Sequence, residues 1–588
     1  MSVPAGKLRP SQAVTQFGPG ALVDLPTMSM VIAGADEWHL LQSRKLDEPR
    51  LARKLGVDVF HEPPYFNRRQ GTGGITARIF PKFLVCPRCN RLARYKAFHF
   101  DERSKEYRCK APDCGGKGNG VAYPARFMVA CPNGHLDDFP WHSYLHPKDV
   151  QCSEELRLED SGRTGAITDL WIKCRKHGAA KNLGQAFGTR NRAKLGPCDG
   201  NRPWFGDRDS QPCSEELRVL LRGASNAYFP IVESAISIPP WSDPLQMALG
   251  QYADQLAKID TFEKLEMWLG LTNVPELTTD FQPDQIWDGL ERRRAGVEEM
   301  PDLRAEEWQA FQVEPTNFNA KAEFQSRKLQ VPEEAAKLDR VVALERMREV
   351  RALRGFTRID PIPDVGDLGE VEAVKARLVG VKRQLGRWLP GVELRGEGVL
   401  LQLEEDAVKN WESSESVVVL DTSHKAAQLA WFESRGMIPP EELKSARLVL
   451  LHTFSHVLVR QLALDSGYSS ASLRERLYCS GGPGRMAGIL IYTATPDSEG
   501  SLGGLVELAK PGKLGPLIER ALESSRLCAN DPLCADREGI LHGSDLNGAA
   551  CHACLLLSET ACELGNFHLD RSLLRGTLGG DVLAFFSE

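Results

Sequence analysis

Cys86-Pro87-Arg88-Cys89 and, after 19 intervening residues, Cys109-Lys110-Ala111-Pro112-Asp113-Cys114-Gly115-Gly116 decide how the front of this 588-residue chain folds. A C-x2-C turn presents two thiolates to one ion from a single knuckle, and zinc takes four such ligands in a tetrahedron. A second knuckle arriving after a short hairpin completes the set, and the spacing is that of a zinc ribbon. The trailing glycines let the backbone wrap tightly. Four protein ligands close the coordination sphere, so this zinc is expected to be structural rather than catalytic.

The chain has 15 cysteines, and most of the others also cluster. Near the C-terminal end, Cys528 and Cys534 precede Cys551-His552-Ala553-Cys554, and these four thiols predict a second closed zinc site. Cys562, expected in a helix just beyond, is an alternative ligand there. Between the two sets lie Cys131-Pro132-Asn133-Gly134-His135, Cys152, Cys174-Arg175-Lys176-His177, Cys198 and Cys213. Cys174, His177, Cys198 and Cys213 are expected to form a third, Cys3His zinc site. Cys131, His135 and Cys152 suggest a fourth metal with His142 or His146; alternatively, Cys131 and His135 only brace a turn. Cys479 stands alone and reads as a buried apolar thiol.

Composition agrees with such use of cysteine. The chain is 42% hydrophobic and 26% charged, as in a folded protein, and no apolar run approaches the roughly 20 residues that span a bilayer. The first 25 residues lack the layout of a secretory signal. A cytoplasmic location is therefore expected, where thiols stay reduced and available to metal. The net charge of −6 hides an asymmetry: residues 1–230 hold 35 Lys and Arg against 24 Asp and Glu, or +11, leaving −17 for the remainder. A basic front half could meet nucleic acid electrostatically, or could simply be an unevenly charged solvated surface.

Length implies three to five units at roughly 100–200 residues each. The reading is an α+β, multi-domain chain with zinc-ribbon-like modules, a helical middle and a C-terminal mixed α/β zinc-binding domain. The expected boundaries are an N-terminal strand and loop region (1–80), the ribbon (81–130), a second Cys/His module (131–230), the helical middle (231–390) and the C-terminal domain (391–588). In the middle, Glu333 to Leu353 carries polar and apolar residues at helical spacing, with Pro332 pre-set for a helix start. Residues 391–403 read as extended chain. Pro439-Pro440 precedes a long expected helix, Glu441 to Leu464, stopped by Gly467. Gly488 to Thr493 is a buried-strand candidate, and Ser501 to Val506 a turn into the next element. The hexapeptide Cys-Ser-Glu-Glu-Leu-Arg occurs at 152–157 and again at 213–218, too little to establish a repeat.

Equipment for catalysis is harder to find. Gly18-Pro19-Gly20, Gly115-Gly116-Lys117-Gly118 and Gly481-Gly482-Pro483-Gly484 all lack the rest of a phosphate loop. Asp137-Asp138 read as capping groups in a turn. Cys551 and Cys554 have redox-dithiol spacing, but their neighbouring cysteines favour metal. His452 and His456 share one face of the long helix, and a glutamate beside the first would complete a metalloprotease signature. Thr453 stands there instead, so the plain reading is two core-facing histidines bonded to a neighbouring element. An enzyme alternative, a metal-dependent hydrolase or nuclease built on His452, His456 and a carboxylate, stays open, as does a stand-alone DNA-binding zinc protein.

Taken together, these residues resemble a known family. Arg9-Pro10-Ser11-Gln12, Phe17-Gly18-Pro19-Gly20-Ala21-Leu22-Val23-Asp24, Cys131 to Trp141 and Arg222 to Pro230 look like segments of the DrmB family, a subunit of the bacterial anti-phage system DISARM. The region from about 447 to 575 is similar to the zinc-binding domain at the C-terminus of MrfA-type helicases, through His452-Thr453-Phe454-Ser455-His456, Glu475-Arg476-Leu477-Tyr478 and Asn547 to Cys554. In that domain four cysteines hold zinc, and the matching positions are Cys528, Cys534, Cys551 and Cys554. One departure is His177, where the family pattern has a cysteine; zinc accepts either. The resemblance implies a partner, the DrmA helicase, which supplies the ATPase this chain lacks. It also implies phage DNA, in single-stranded form, and a methyltransferase subunit of the same system. Arg88, Arg91, Arg94 and Lys96, beside the first ribbon, are the expected DNA contacts.

Overall fold

The computed structural model describes residues 4–67, 69–114, 120–146, 152–162, 166–188, 195–295, 302–313, 322–335, 337–361, 377–384, 386–482, 484–493, 504–535, 546–578, 580 and 582–587. The glycines after Cys114 and the expected turn at 501–503 lie outside them. The fold is α+β, and two large sheets organise it.

The first sheet has eight strands in the order His99–Asp101, Glu106–Arg108, Val121–Pro124, Phe83–Val85, Arg91–Arg94, Leu156–Asp160, Leu170–Cys174 and Ala180–Asn182. It runs across the boundary expected at 130/131, so the ribbon and the second Cys/His module are one sheet. Phe83, Leu92, Phe127, Trp141, Leu156 and Ile172 fill its core. A separate three-stranded sheet centres on Phe127–Ala130, flanked by Leu136–Asp138 and Arg218–Leu221.

The second sheet has nine strands. Its spine runs Phe229–Ile236, Leu338–Thr357, Trp388–Leu403, Met486–Thr493, Leu473–Ser480, all antiparallel. Near one end Val59–His61 adds in parallel to Trp388, Leu389 and Pro390. The sheet thus crosses the boundary expected at 390/391 and recruits the N-terminal region. The long helix Ala446–Ser466 begins five residues later than expected and ends at Gly467, which takes the left-handed conformation at φ 74°. Its apolar side chains pack with Val341, Val399, Leu401, Ile489 and Ile491 of the sheet in the largest core.

Among the described residues, the complete helices of the expected helical middle lie within 244–312. Pro244–Gln251, Phe262–Leu271 and Pro283–Ala295 surround their own core of Leu249, Leu265, Leu277 and Ile286. Thr261 Oγ1 caps the second of these by accepting from Lys264 N, and the Asp302 carboxylate caps Leu303–Gln312. The helix expected over 333–353 is instead a strand of 20 residues, Leu338–Thr357. Its Leu, Ala, Glu, Arg and Met are good helix formers, but pairing along both edges overrides that weak local preference. Both faces are covered, so the alternation of a half-exposed strand is missing. Of the charges that mimic a polar helix face, Arg348, Glu349 and Arg351 are buried in ion pairs. Arg348 Nε donates to Glu393 Oε2 at 2.7 Å, and Arg351 Nε to Glu349 Oε2 at 2.9 Å. No helix among the described residues is long and apolar enough to cross a membrane.

Candidate metal centres

The hairpin of Phe83–Val85 and Arg91–Arg94 carries the first knuckle in its turn. Cys86 N donates to Arg91 O at 2.9 Å, Asn90 N to Cys86 O at 2.9 Å, and Asn90 takes the left-handed region at φ 57°, which asparagine tolerates. The second knuckle follows Glu106–Arg108, with Cys109 N bonded to Gly120 O. A Cβ on Gly120 would sit 3.1 Å from Cys86 Sγ, so the close approach there suits glycine. Cys86 Sγ lies 3.6 Å from Cys114 Sγ, and Cys89 Sγ 3.8 Å from Cys109 Sγ. Zinc–sulfur bonds of about 2.3 Å give tetrahedron edges of about 3.8 Å. The donor set therefore fits zinc in both chemistry and size.

At the other end, Cys528, Cys534, Cys551 and Cys554 converge in the same way, with sulfur separations of 3.4, 3.7 and 3.7 Å. Buried Arg571 fixes the supporting loop by donating to Ser525 O, Arg526 O and the Asp531 carboxylate, whose other oxygen accepts from Cys528 N. Asn530 Nδ2 donates to Cys551 Sγ at 3.4 Å from the same loop. Burial works against ionisation of Cys551, but hydrogen bonds led by Cys528, with Asn530 and backbone amides, bring it down to about 6. Burial pushes Cys554 up to about 11. Thiols this close cannot all ionise unless a cation sits among them.

Between these ends the structure rearranges the expected ligand sets. Cys174 and His177 do not share a cluster with Cys198 and Cys213. Cys174 and His177 gather with Cys152 and His146, while Cys198 and Cys213 gather with Cys131 and His135. The reason is strand pairing. Leu156 lies opposite Cys174, so the residues entering that hairpin place Cys152 Sγ 3.8 Å from Cys174 Sγ. Ala130 lies opposite both Leu136 and Arg218, which brings Cys131 Sγ to 3.8 Å from Cys213 Sγ. The fourth metal expected around Cys131, His135 and Cys152 is corrected likewise: Cys152 belongs elsewhere, with His146, and His142 Nε2 meets Glu154 O instead. Cys131 and His135 do close a turn, through Gly134 at φ 80°, and their side chains converge as well.

Both mixed clusters also fit. His135 Nδ1 is 3.4 Å from Cys131 Sγ and 3.5 Å from Cys198 Sγ, and His177 Nδ1 is 3.4 Å from Cys174 Sγ. Zinc bonds of about 2.3 Å to sulfur and 2.0–2.1 Å to nitrogen give edges of about 3.5 Å. Cys198 is held down to about 4, first by the Cys131 hydrogen bond and then, against burial, by His135. The two Cys-Ser-Glu-Glu-Leu-Arg copies have one role: each delivers a cysteine to a cluster and then enters a strand.

The remaining candidates separate cleanly. Arg88, Arg94 and Lys96 are exposed beside the ribbon, Arg94 with its guanidinium over the Phe83 ring. Arg91, expected to contact DNA, is 8% exposed, paired with Glu155 and bonded to Ala97 O, so its charge is used internally. The Asp138 carboxylate accepts from the backbone N–H of Lys82, and burial pushes its carboxyl up to about 6. Cys479 packs against the C-terminal core, where burial raises its thiol to about 12. Cys562 does not join the cluster of the C-terminal thiols; it meets His452.

Sequence comparison adds the lineage. Residues 454–555 match the MrfA Zn-binding domain, and residues 9–229 match a family described as a domain of unknown function, DUF8724. The first range contains all four C-terminal thiols of the cluster and the second contains the other three clusters. Over 579 residues the chain is 33% identical to the DISARM protein DrmB of Bacillus paralicheniformis, covering 95% of this chain and 98% of that one. The chain belongs to the DrmB family. Its C-terminal zinc-binding domain is of the MrfA type, and its Cys/His clusters are compatible with zinc. A crystal structure of the DUF1998 helicase MrfA bound to DNA aligns at 9% identity over 36% of this chain. It does so over only 21% of its own length and with a TM-score of 0.17, too low to bear on fold or function.

Proposed function

We propose that this DrmB-family chain is a non-catalytic, zinc-braced subunit of a DISARM anti-phage system that associates with the DrmA helicase and helps it engage single-stranded phage DNA. The observation that carries the reading is the relationship to DrmB along nearly the whole chain. The four clusters would each hold one zinc: Cys86, Cys89, Cys109 and Cys114; Cys131, His135, Cys198 and Cys213; His146, Cys152, Cys174 and His177; and Cys528, Cys534, Cys551 and Cys554. Each supplies four protein ligands, so the ions brace loops rather than activate water. The motor is assigned to the partner because the sequence carries no phosphate loop. Arg88, Arg94 and Lys96 are the DNA contacts in this reading, with Arg91 removed. The DISARM methyltransferase is a further expected neighbour, and the cytoplasm the expected location.

Co-purification with an untagged DrmA-type helicase tests the association. In that complex, reversing Arg88, Arg94 and Lys96 to glutamate should weaken single-strand binding. It should also flatten the slope of log affinity against log salt by about 2, at about 0.7 for each phosphate no longer neutralised. An unchanged slope removes these residues from the DNA path. Tight DNA binding by the chain alone, equal to that of the complex, would favour a stand-alone DNA-binding protein.

A further inference from the structure

The long helix Ala446–Ser466 directs two imidazoles, His452 and His456, to one point in the interior, their ring centroids 4.5 Å apart. Glu475, from the strand Leu473–Ser480, and Cys562, from the C-terminal segment, meet them there. The side chains of His452, His456 and Glu475 are wholly inaccessible to solvent, and Cys562 is 8% exposed. The four potential ligand atoms all lie within 4.8 Å of one another.

The hydrogen bonds around this cluster settle which atoms face inward. His452 Nδ1 lies 3.3 Å from His568 O, and His456 Nδ1 lies 3.0 Å from Leu555 O. A carbonyl oxygen only accepts, so both Nδ1 atoms carry a proton and both rings direct Nε2 toward the centre, where a neutral ring presents a lone pair. His452 Nε2 then sits 3.1 Å from Glu475 Oε1 and 3.1 Å from Cys562 Sγ. His456 Nε2 sits 3.5 Å from Glu475 Oε1 and, among the described residues, has no hydrogen-bond partner although it is buried. Glu475 is oriented by donors on its other sides, Glu563 N to Oε1 at 2.9 Å and the Ser455 hydroxyl to Oε2. Among the described residues its ion-pair-range neighbours are only these two histidines.

Two lone pairs and a carboxylate pointing at each other in a dry interior repel unless something positive lies between them. A metal ion resolves this at one stroke. Imidazoles whose second nitrogen donates to a backbone carbonyl are the usual arrangement of metal-bound histidine. A tetrahedral zinc with bonds of about 2.0–2.1 Å to nitrogen and oxygen and 2.3 Å to sulfur gives edges of about 3.3–3.5 Å, close to the separations present. Mixed nitrogen, oxygen and sulfur donors suit a borderline ion such as zinc better than calcium or magnesium.

We propose that His452, His456, Glu475 and Cys562 form a fifth metal site, holding one zinc that clamps the long helix to the strand Leu473–Ser480 and to the C-terminal segment. It is separate from the four-thiol set, and Cys562 lies beyond the matched MrfA-type region. Four protein ligands without solvent leave no open coordination position, so this is not the centre of a hydrolase. The site stands independently of any helicase partnership.

The test uses the full chain, expressed with added zinc and purified without chelator. Anomalous difference maps from wild-type crystals, collected above and below the zinc edge, should show a peak between the two imidazoles that is distinct from those at the thiol clusters. Cys562→Ala and Glu475→Gln, checked for folding by circular dichroism, should each contain about one metal fewer per chain by mass spectrometry. An empty position between the imidazoles in crystals whose thiol clusters are filled would overturn the proposal and leave a shared proton as the linking charge. So would an unchanged metal count in the folded variants. Should both variants fail to fold, the wild-type map decides alone.

Discussion

Cys174 and Cys198 contribute to different clusters, and that assignment has a direct consequence for zinc content. Replacing either with serine should remove about one zinc per chain, and the double variant Cys174→Ser, Cys198→Ser should remove about two. Native mass spectrometry distinguishes this from the ligand set expected from spacing, in which both residues serve one ion and the double variant loses only one. The knuckles at Cys86–Cys89 and Cys551–Cys554 were legible because both ligands of each pair lie in a single turn. The middle clusters were not, because their membership depends on which strands pair: Leu156 opposite Cys174, and Ala130 opposite Arg218. Glu475 escaped for a similar reason. Its partners lie 19 or more residues away on other elements, and with Arg474 and Arg476 on either side it reads in the sequence as one of three solvated charges.

At the scale of elements, the strand Leu338–Thr357 shows how charged residues can stabilise the centre of a sheet. Burial alone would raise the Glu349 carboxyl, but Arg351, bound to it through Nε and Nη2, and the nearby Arg474 and Arg476 hold it down to about 2. A carboxyl lowered from its ordinary 4.5 stabilises the fold fully above that value and loses the contribution as pH falls towards about 2. Glu349→Gln should therefore lower stability at pH 7 by about 3–5 kcal/mol, since it leaves Arg351 buried without its counter-charge. In urea unfolding the variant should also show a shallower loss of stability between pH 4.5 and 2 than the wild type. A parallel pH profile would mean that Glu349 is not the group titrating there. These same charges disguise the strand as a helix, since Glu and Arg at such spacing normally mark a solvated face. By contrast, 488–493 was legible as a strand from its apolar run, and 391–403 as extended chain from the alternation of Val392 and Leu394 with Glu393 and Arg395 ahead of Val399 to Leu401.

Across the whole molecule, Arg358 is one of the side chains that join the front half, with its Cys/His clusters, to the large sheet. Arg358, at the end of Leu338–Thr357, is 1% exposed and stacks its guanidinium over the rings of Phe356 and Trp204 at 4.7 and 5.2 Å. It donates through Nε to Gly134 O at 2.9 Å, inside the Cys131–His135 turn, and through Nη2 to Gly20 O at 2.8 Å, in the Gly18-Pro19-Gly20 turn. Its third nitrogen meets Ala227 O. Burial lowers this guanidinium to about 9, and carbonyl dipoles rather than a carboxylate are what it bonds. The planar fork is needed for this: it reaches three segments from one buried position, which an ammonium cannot do. Arg358→Lys should therefore behave much like Arg358→Ala, leaving at least two of three buried carbonyls without a donor at about 1–3 kcal/mol each. Hydrogen exchange should then rise together at residues 18–21, 131–136 and 226–229, while the long helix Ala446–Ser466 stays protected. Faster exchange at only one of the three segments would show that Arg358 is a local brace and that the front and the sheet unfold independently. Concerted loosening would instead make the Gly18–Gly20 turn, the Cys131–His135 turn and the central strand one cooperative unit, so that a metal held by Cys131 and His135 would be felt in the sheet that carries the C-terminal domain.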